Sequence, residues 1–324
     1  MKVLVTGTNG LLASNTIKKL LEQDYEVVGM LRDTNKFVLP AHPKLDLITG
    51  DIRDQKAVDN AVKSCDIIIH AAALTAPDLL KYEQYYEVNV LGTQNLVEAA
   101  ILNNVQKFIY VSSANTIGHG TKTSPGTEEI GVREPFIGSF YAKSKLEGEE
   151  IVLASADKIH SVIVNPTFML GAYDAKPSSG KIILMGYNKR IVFVPPGGKN
   201  FVNVDDVADA IISAFAKGKS GEKYLLSGEN LSYWEFFKKL NQFSEKKAML
   251  VKVPKFLLLS AGFAGNLIRK MGIATPVSLS NMRILSITNY YSNKKAEREL
   301  GIHFKQIDLG IQKAVNWFKE NGNI

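Results

Sequence analysis

The sequence predicts an α/β fold in which a doubly wound parallel sheet is covered by helices on both faces. Three observations predict it. Strand-length apolar runs alternate with helix-like segments through the first half of the chain. Those runs are rich in Val and Ile and show little polar alternation, as strands buried on both faces require. The first run leads directly into a glycine-bearing turn, TGTNG. The 324 residues suffice for one large domain, or a large one with a smaller one. A composition of 45% hydrophobic and 22% charged residues is that of a chain with a buried core.

Taken in order, the expected strands are residues 2–5, 26–31, 45–48, 66–70, 108–112 and 161–165. Helices expected over 11–23, 55–63, 82–103 and 139–155 lie between them. The pattern changes after about Gly171, where Pro177, Gly180, Gly186, Pro195, Pro196, Gly197 and Gly198 signal loops and short elements. Beyond them a helix is expected over 205–217, a strand over 223–227 and a helix near 233–241. The segments 294–301 and 309–321 again read as helical. No fixed-period repeat is visible.

Composition excludes several classes. The single cysteine, Cys65, allows no intramolecular disulfide and reads as a small buried thiol before a strand. The N-terminus MKVLVTG enters a strand at once, without the pattern of a signal peptide, so a reducing cytoplasm is the expected setting. The apolar stretch FLLLSAGFAGNLI, residues 256–268, is too short to span a bilayer. It is expected to pack within the second region and to give no stable membrane anchor. Its basic flanks, Lys255 and Arg269–Lys270, leave surface contact as the alternative. The net charge of +7 is dispersed, with no basic stripe interleaved with aromatics, so no nucleic-acid partner is expected. A positive surface favours an anionic cofactor or substrate. No metal site is expected.

The chemistry begins at TGTNGLLA, residues 6–13, which follows a strand and opens a helix. Gly7 permits the tight turn, and Gly10 lets the backbone approach a pyrophosphate at the helix N-terminus, where free N–H groups and the dipole attract anions. Gly7, Thr8, Asn9, Gly10, Leu11 and Leu12 are the expected contacts. The residue after the second strand should meet the adenosine end of a dinucleotide. Leu31 stands where an acid would favour NAD, and Arg32 follows. A guanidinium there can pair with a 2′-phosphate, which argues for NADP, with NAD as the alternative. Compensation of a surface Arg32 by Asp33 is the competing reading. In GDIRD, Asp51 could accept from an adenine amino group and Ile52 could cover the ring, while Asp54 suits a helix N-cap. Ala71, Ala72 and Ala73 end the fourth strand, small enough for backbone to lie against a cofactor. His70 reads as a satisfied buried histidine.

The strongest signal is Ser113, Tyr141 and Lys145. Ser113 follows the strand FIYVS at the carboxyl edge of the sheet. Tyr141 and Lys145 are four apart in YAKSK on an expected helix and share a face. An ammonium beside a phenol lowers its pKa toward neutrality, and a serine hydroxyl can hold the substrate oxygen. The same lysine can hold a ribose.

In order, TGTNGLLA, GDIRD, HAAA, YEVNVLGT, VSSANTIG, YAKSK, NPTFMLG and FVNVDDVA resemble the extended short-chain dehydrogenase/reductase superfamily, the NAD-dependent epimerase/dehydratase family. The resemblance runs over about residues 1–230. It implies a Rossmann domain over 1–170 and a mainly substrate-binding region over 171–324, with segments returning to the first. It implies Ser113, Tyr141 and Lys145 as the catalytic trio and Asn89 as a structural helper. It places Asn165, Pro166 and Thr167 by the nicotinamide, and makes Asp205 and Asp206 structural, one of them capping a helix. Within the superfamily the chain is most similar to the dihydroflavonol 4-reductase branch, on Leu31–Arg32–Asp33, PPGGKNFVNVDDVA and GEKYLLSGENLS. That branch implies NADPH-dependent reduction of a ketone or aldehyde. Lys199-Asn200-Phe201 departs from the Arg-Asp-Phe of many sugar-nucleotide enzymes. An epimerase or dehydratase acting on a nucleotide sugar stays open, since Lys189, Arg190 and Lys199 could meet a diphosphate. A non-catalytic dinucleotide sensor is the third reading. A homodimer through the helices 82–103 and 139–155 is the assembly that the superfamily implies.

Overall fold

A computed structural model describes residues 1–324. The chain begins β1 (Lys2–Thr6), α1 (Leu11–Glu22), β2 (Glu26–Leu31), β3 (Leu45–Thr49), α2 (Gln55–Val62) and β4 (Ile67–His70). It continues through α3 (Tyr82–Tyr85), a π-helical segment (Tyr86–Leu91), α4 (Gly92–Leu102), β5 (Lys107–Val111), α5 (Phe140–Ala154) and β6 (His160–Pro166). Then follow β7 (Phe168–Leu170), α6 (Lys181–Gly186), β8 (Ile191–Val194), β9 (Gly198–Asn203), α7 (Val204–Lys217) and β10 (Lys223–Leu226). The chain closes with β11 (Glu229–Ser232), α8 (Tyr233–Phe243), β12 (Met249–Lys252), α9 (Lys255–Lys270), α10 (Leu279–Ile284), β13 (Thr288–Asn289), α11 (Lys294–Leu300) and α12 (Asp308–Glu320).

Seven strands form one parallel sheet in the order β10-β6-β5-β4-β1-β2-β3. All six strands expected in the first half are present, and the expected strand at 223–227 returns as its edge. Successive residues of a strand point to opposite faces. Here both sets are apolar. Val3, Val5, Ile67, Ile69, Ile109 and Val111 share a core with α1 and α7. Leu4, Ile68, Phe108, Tyr110 and Ile163 share one with α2, α4 and α5. Burial on two faces is why these strands read as unbroken apolar runs. The order reverses between β1 and β4, the crevice where open α/β sheets bind ligands.

A smaller region surrounds β9, which pairs with β7 and β13 in parallel and with β11 antiparallel. Its core is aromatic: Phe201 stacks on Phe236 at 4.3 Å. Strands β8 and β12 make a separate parallel ribbon.

The structure corrects three expectations. The helix expected over 82–103 is interrupted by the π segment. The helix expected from 205 begins at Val204, and its cap is the Asn203 side chain, not an aspartate. Asp205 instead pairs with Lys313 at 2.8 Å, and Asp206 accepts from the Lys305 N–H at 2.8 Å, tying the C-terminal segment to α7. Helix α9 packs on the α10 arm but is not buried within the protein: of its sixteen residues only Gly262 and Gly265 are buried. No helix is long and apolar enough to cross a membrane.

Candidate active site and cofactor cradle

The turn from β1 to α1 is shaped by two glycines. Gly7 has φ +71°, and a Cβ there would lie 2.8 Å from the Ala72 Cα, so only glycine lets the turn sit against Ala71 and Ala72. Thr6 Oγ1 accepts from the Ala72 N–H at 3.1 Å, joining the two strand ends. Gly10 precedes α1 with no side-chain cap, leaving the first-turn N–H groups free toward an anion. Leu11 and Leu12 are buried in the core, so only their backbone can serve that purpose. The Thr8 hydroxyl is buried within the turn without a partner. This cradle fits a dinucleotide pyrophosphate.

At the adenosine end, Arg32 is exposed and Asp33 does not compensate it. Asp33 caps the following turn through the Asn35 N–H and pairs with Lys36 at 2.8 Å. Asp51 is held by Arg53, whose guanidinium and N–H both donate to it, and that pairing keeps its carboxyl below the usual range. The Ile52 side chain packs against Gly92 and belongs to the core beneath this loop. Asp54 caps α2 as expected, accepting from the Lys56 N–H at 3.0 Å.

Ser113 lies just beyond β5, with its hydroxyl accepting from the Asn115 N–H at 3.2 Å. Ser139 caps α5 and sets Tyr141 in its first turn. The Ser113 side chain faces the Tyr141 phenol; burial pushes that phenol up, and Ser113 opposes the shift. Lys145 follows one turn later, buried. Its ammonium donates to the Val111 carbonyl at 2.7 Å and lies 4.1 Å above the Tyr110 ring. Burial pushes it down to about 7. In this arrangement the ammonium is engaged with Val111 and Tyr110. His70 is bonded to Thr6 and Thr93, and burial keeps it neutral.

Sequence reasoning missed Glu149, one further turn along the face that carries Tyr141 and Lys145. It is fully buried. Its carboxylate accepts from Ser112, from Thr116 at 2.6 Å and from Asn165 at 2.7 Å, and pairs with Lys223. The signal was the repeated spacing of four. Asn165 belongs to this network and not to a nicotinamide-facing surface, because its amide also donates to the Ser113 carbonyl at 3.2 Å. Thr167, on the far side of buried Pro166, is half-buried and donates to Asn200 at 2.6 Å. Asn89, set by the π segment, exchanges bonds with the Leu74 backbone and donates to Ser144 at 2.9 Å. It thereby fixes the loop after Ala71–Ala73 to α5. In the second region, the Lys199 ammonium lies 4.3 Å over the Phe168 ring without an ion-pair partner, and burial pushes it down to about 8.

Known proteins resemble this chain in sequence and fold. The model of the NAD dependent epimerase/dehydratase family matches residues 3–227. A Synechocystis sp. protein, provisionally named a dihydroflavonol 4-reductase, is 29% identical over 99% of this chain and 95% of its own. A 3-beta-hydroxysteroid dehydrogenase of Mycolicibacterium neoaurum is 30% identical over 93% of this chain and 86% of its own. The crystal structure of gox2253 superposes with a TM-score of 0.83 at 29% identity, covering 99% of each chain. A Bacillus cereus UDP-glucuronic acid 4-epimerase, solved with a fluorinated UDP-sugar and NAD, gives a TM-score of 0.79 at 18% identity, covering 99% of this chain and 100% of its own. That last likeness is one of fold.

Proposed function

Because the chain belongs to the NAD dependent epimerase/dehydratase family of enzymes, we propose that it is an NADPH-dependent reductase of a ketone or aldehyde acting through Ser113, Tyr141 and Lys145. The observation that carries this reading is the common face of α5, with Tyr141 in its first turn and Lys145 one turn on, buried and bonded to the Val111 carbonyl at the end of β5, just before Ser113.

When bound, the nicotinamide dinucleotide supplies the hydride. The free amides at the start of α1 would hold its pyrophosphate, and Arg32 would meet a 2′-phosphate. Ala71, Ala72 and Ala73 leave a surface with no bulky side chain for it to lie on. Ser113 holds the substrate oxygen and Tyr141 delivers a proton to it. Lys145 exchanges the Val111 carbonyl for a ribose hydroxyl and keeps its charge near the phenol. Residues 1–170 then hold the cofactor, and 171–324 mainly the substrate. The segments expected around that substrate are 75–86, 115–137, 168–190 and 254–290, the outward face of α9 within the last being turned to solvent. Cys65 is buried and free, and a reducing cytoplasm is the proposed setting. A homodimer would use α3, α4 and α5.

One observation favours a second reading. The unpaired Lys199 ammonium suits a diphosphate, so a nucleotide-sugar epimerase or dehydratase is the alternative.

Calorimetric titration tests the cofactor assignment. NADPH should bind about tenfold or more tightly than NADH, since a charge-assisted pair contributes about 1.5–3 kcal/mol. Arg32→Ala should erase the difference. Equal affinities in the unaltered protein would sink the NADP assignment.

A further inference from the structure

Helix α9 has its polarity reversed. A surface helix ordinarily turns its apolar stripe inward and its polar face to water. Here the two buried positions of the inner face are both glycine, with Leu258, Leu259, Asn266 and Arg269 half-buried around them. A Cβ on Gly262 would come within 2.9 Å of the Leu279 Cα, and one on Gly265 would collide with the Val277 carbonyl, so both positions let the α10 arm pack closely. The outer face carries the large side chains. Phe256, Phe263 and Leu267 are 66%, 62% and 50% exposed. At spacings of seven and four they form one stripe. It continues past the helix end into Met271 and Ile273, 69% and 54% exposed. An exposed apolar surface of this extent marks an interaction site.

The surrounding charge identifies what it meets. Residues 246–296 contain nine Lys and Arg and no Asp or Glu. The rest of the chain has 30 basic residues against 32 acidic ones, so the whole positive excess of the molecule lies in this stretch. Of the nine, only Lys295 has an acidic partner, Glu222. Lys252, Lys255, Lys270 and Arg283 are exposed and unpaired. Protruding Phe and Leu side chains rimmed by cations are the chemistry of a helix lying in the interface of an anionic bilayer. A second copy is disfavoured, because a two-fold contact would set this cationic face against itself.

We propose that the α9–α10 hairpin docks reversibly on an anionic lipid surface, with Phe256, Phe263 and Leu267 in the headgroup–acyl boundary. The inference goes beyond the catalytic reading and does not depend on it. Docking would also bear on the site's rim. The Arg269 guanidinium donates to the carbonyls of Asp78 and Leu79, at 3.2 and 2.7 Å, which ties the hairpin to the loop after Ala71–Ala73.

Vesicle flotation of the full chain tests this. The protein should float with phosphatidylglycerol–phosphatidylcholine vesicles, stay behind with phosphatidylcholine alone, and be released by high salt. Phe263→Asp with Leu267→Asp should weaken binding about tenfold or more, as should Lys255→Glu with Lys270→Glu. All four positions face solvent or the rim, so circular dichroism, thermal unfolding and NADPH affinity should stay unchanged. Failure of the unaltered protein to float with anionic vesicles would overturn the proposal. So would flotation indifferent to the Phe263 and Leu267 changes. A dimer by light scattering that Phe263→Asp dissolves, without vesicle binding, would assign the stripe to a second copy and overturn it equally.

Discussion

Tyr141 and Lys145 share a face of α5, and the proposed mechanism gives them different tasks that substitution should separate. Tyr141→Phe removes only a hydroxyl. It should leave NADPH affinity, read by nicotinamide fluorescence, nearly intact while turnover falls about 100-fold or more, the worth of a positioned proton transfer. Lys145→Met should reduce both, and Ser113→Ala mainly turnover. Lys145 also predicts a pH dependence. Its folded pKa is about 7 against an ordinary 10.5. Between those values the unfolded chain binds more protons than the folded one, so stability rises with pH across that window. The burial cost is at its full size below about pH 7. Lys145→Met should therefore raise the thermal midpoint of the cofactor-free protein in mildly acidic buffer, with the gain shrinking toward pH 10. A midpoint below that of the unaltered protein throughout would contradict the assignment. The shared helix face of Tyr141 and Lys145 was legible from their spacing, and the ordered motifs around it pointed to Ser113 as their companion. The burial of Ile52 and Asn165 was not legible, because it depends on Gly92 and on Glu149, partners distant in the chain.

At the scale of elements, α5 is anchored by a charge that its sequence disguises. In LEGEE, Glu149 reads as one more surface acid. Lys223, Thr116 and Asn165, brought in from other strand ends, make it a buried one. Glu149→Gln strands the Lys223 charge. Breaking a buried pair costs about 3–5 kcal/mol, so the thermal midpoint should drop by several degrees. No change in midpoint would contradict the network. The β1–α1 turn makes a sharper demand. Gly7→Ala forces a Cβ toward Ala72 at positive φ, and calorimetry should show NADPH binding weakened about tenfold or more. Helix α9 was misread because hydropathy counts apolar residues without saying which way they face. Its paired glycines, Gly262 and Gly265, were the available sign that the close packing lies on the side without large residues.

The whole molecule sets a seven-stranded parallel sheet beside a smaller sheet built around β9, and the proposed site lies at the carboxyl edge of the first. The parallel sheet was legible from its apolar runs, and even the late strand β10 was expected. The cluster around β9 was not, because its strands are short and their partners, β7, β11 and β13, lie far apart in the chain. The same architecture serves reductases and epimerases, so fold cannot decide between them. Cofactor accounting can. The most direct test uses NADPH carrying deuterium at the transferring C4 position, with a carbonyl substrate found by screening. The account predicts one deuterium in each product molecule, one NADPH consumed for each, and turnover about 100-fold or more slower in Tyr141→Phe. Conversion of substrate to an epimer or dehydrated product without net NADPH consumption, or full activity in Tyr141→Phe, would contradict it.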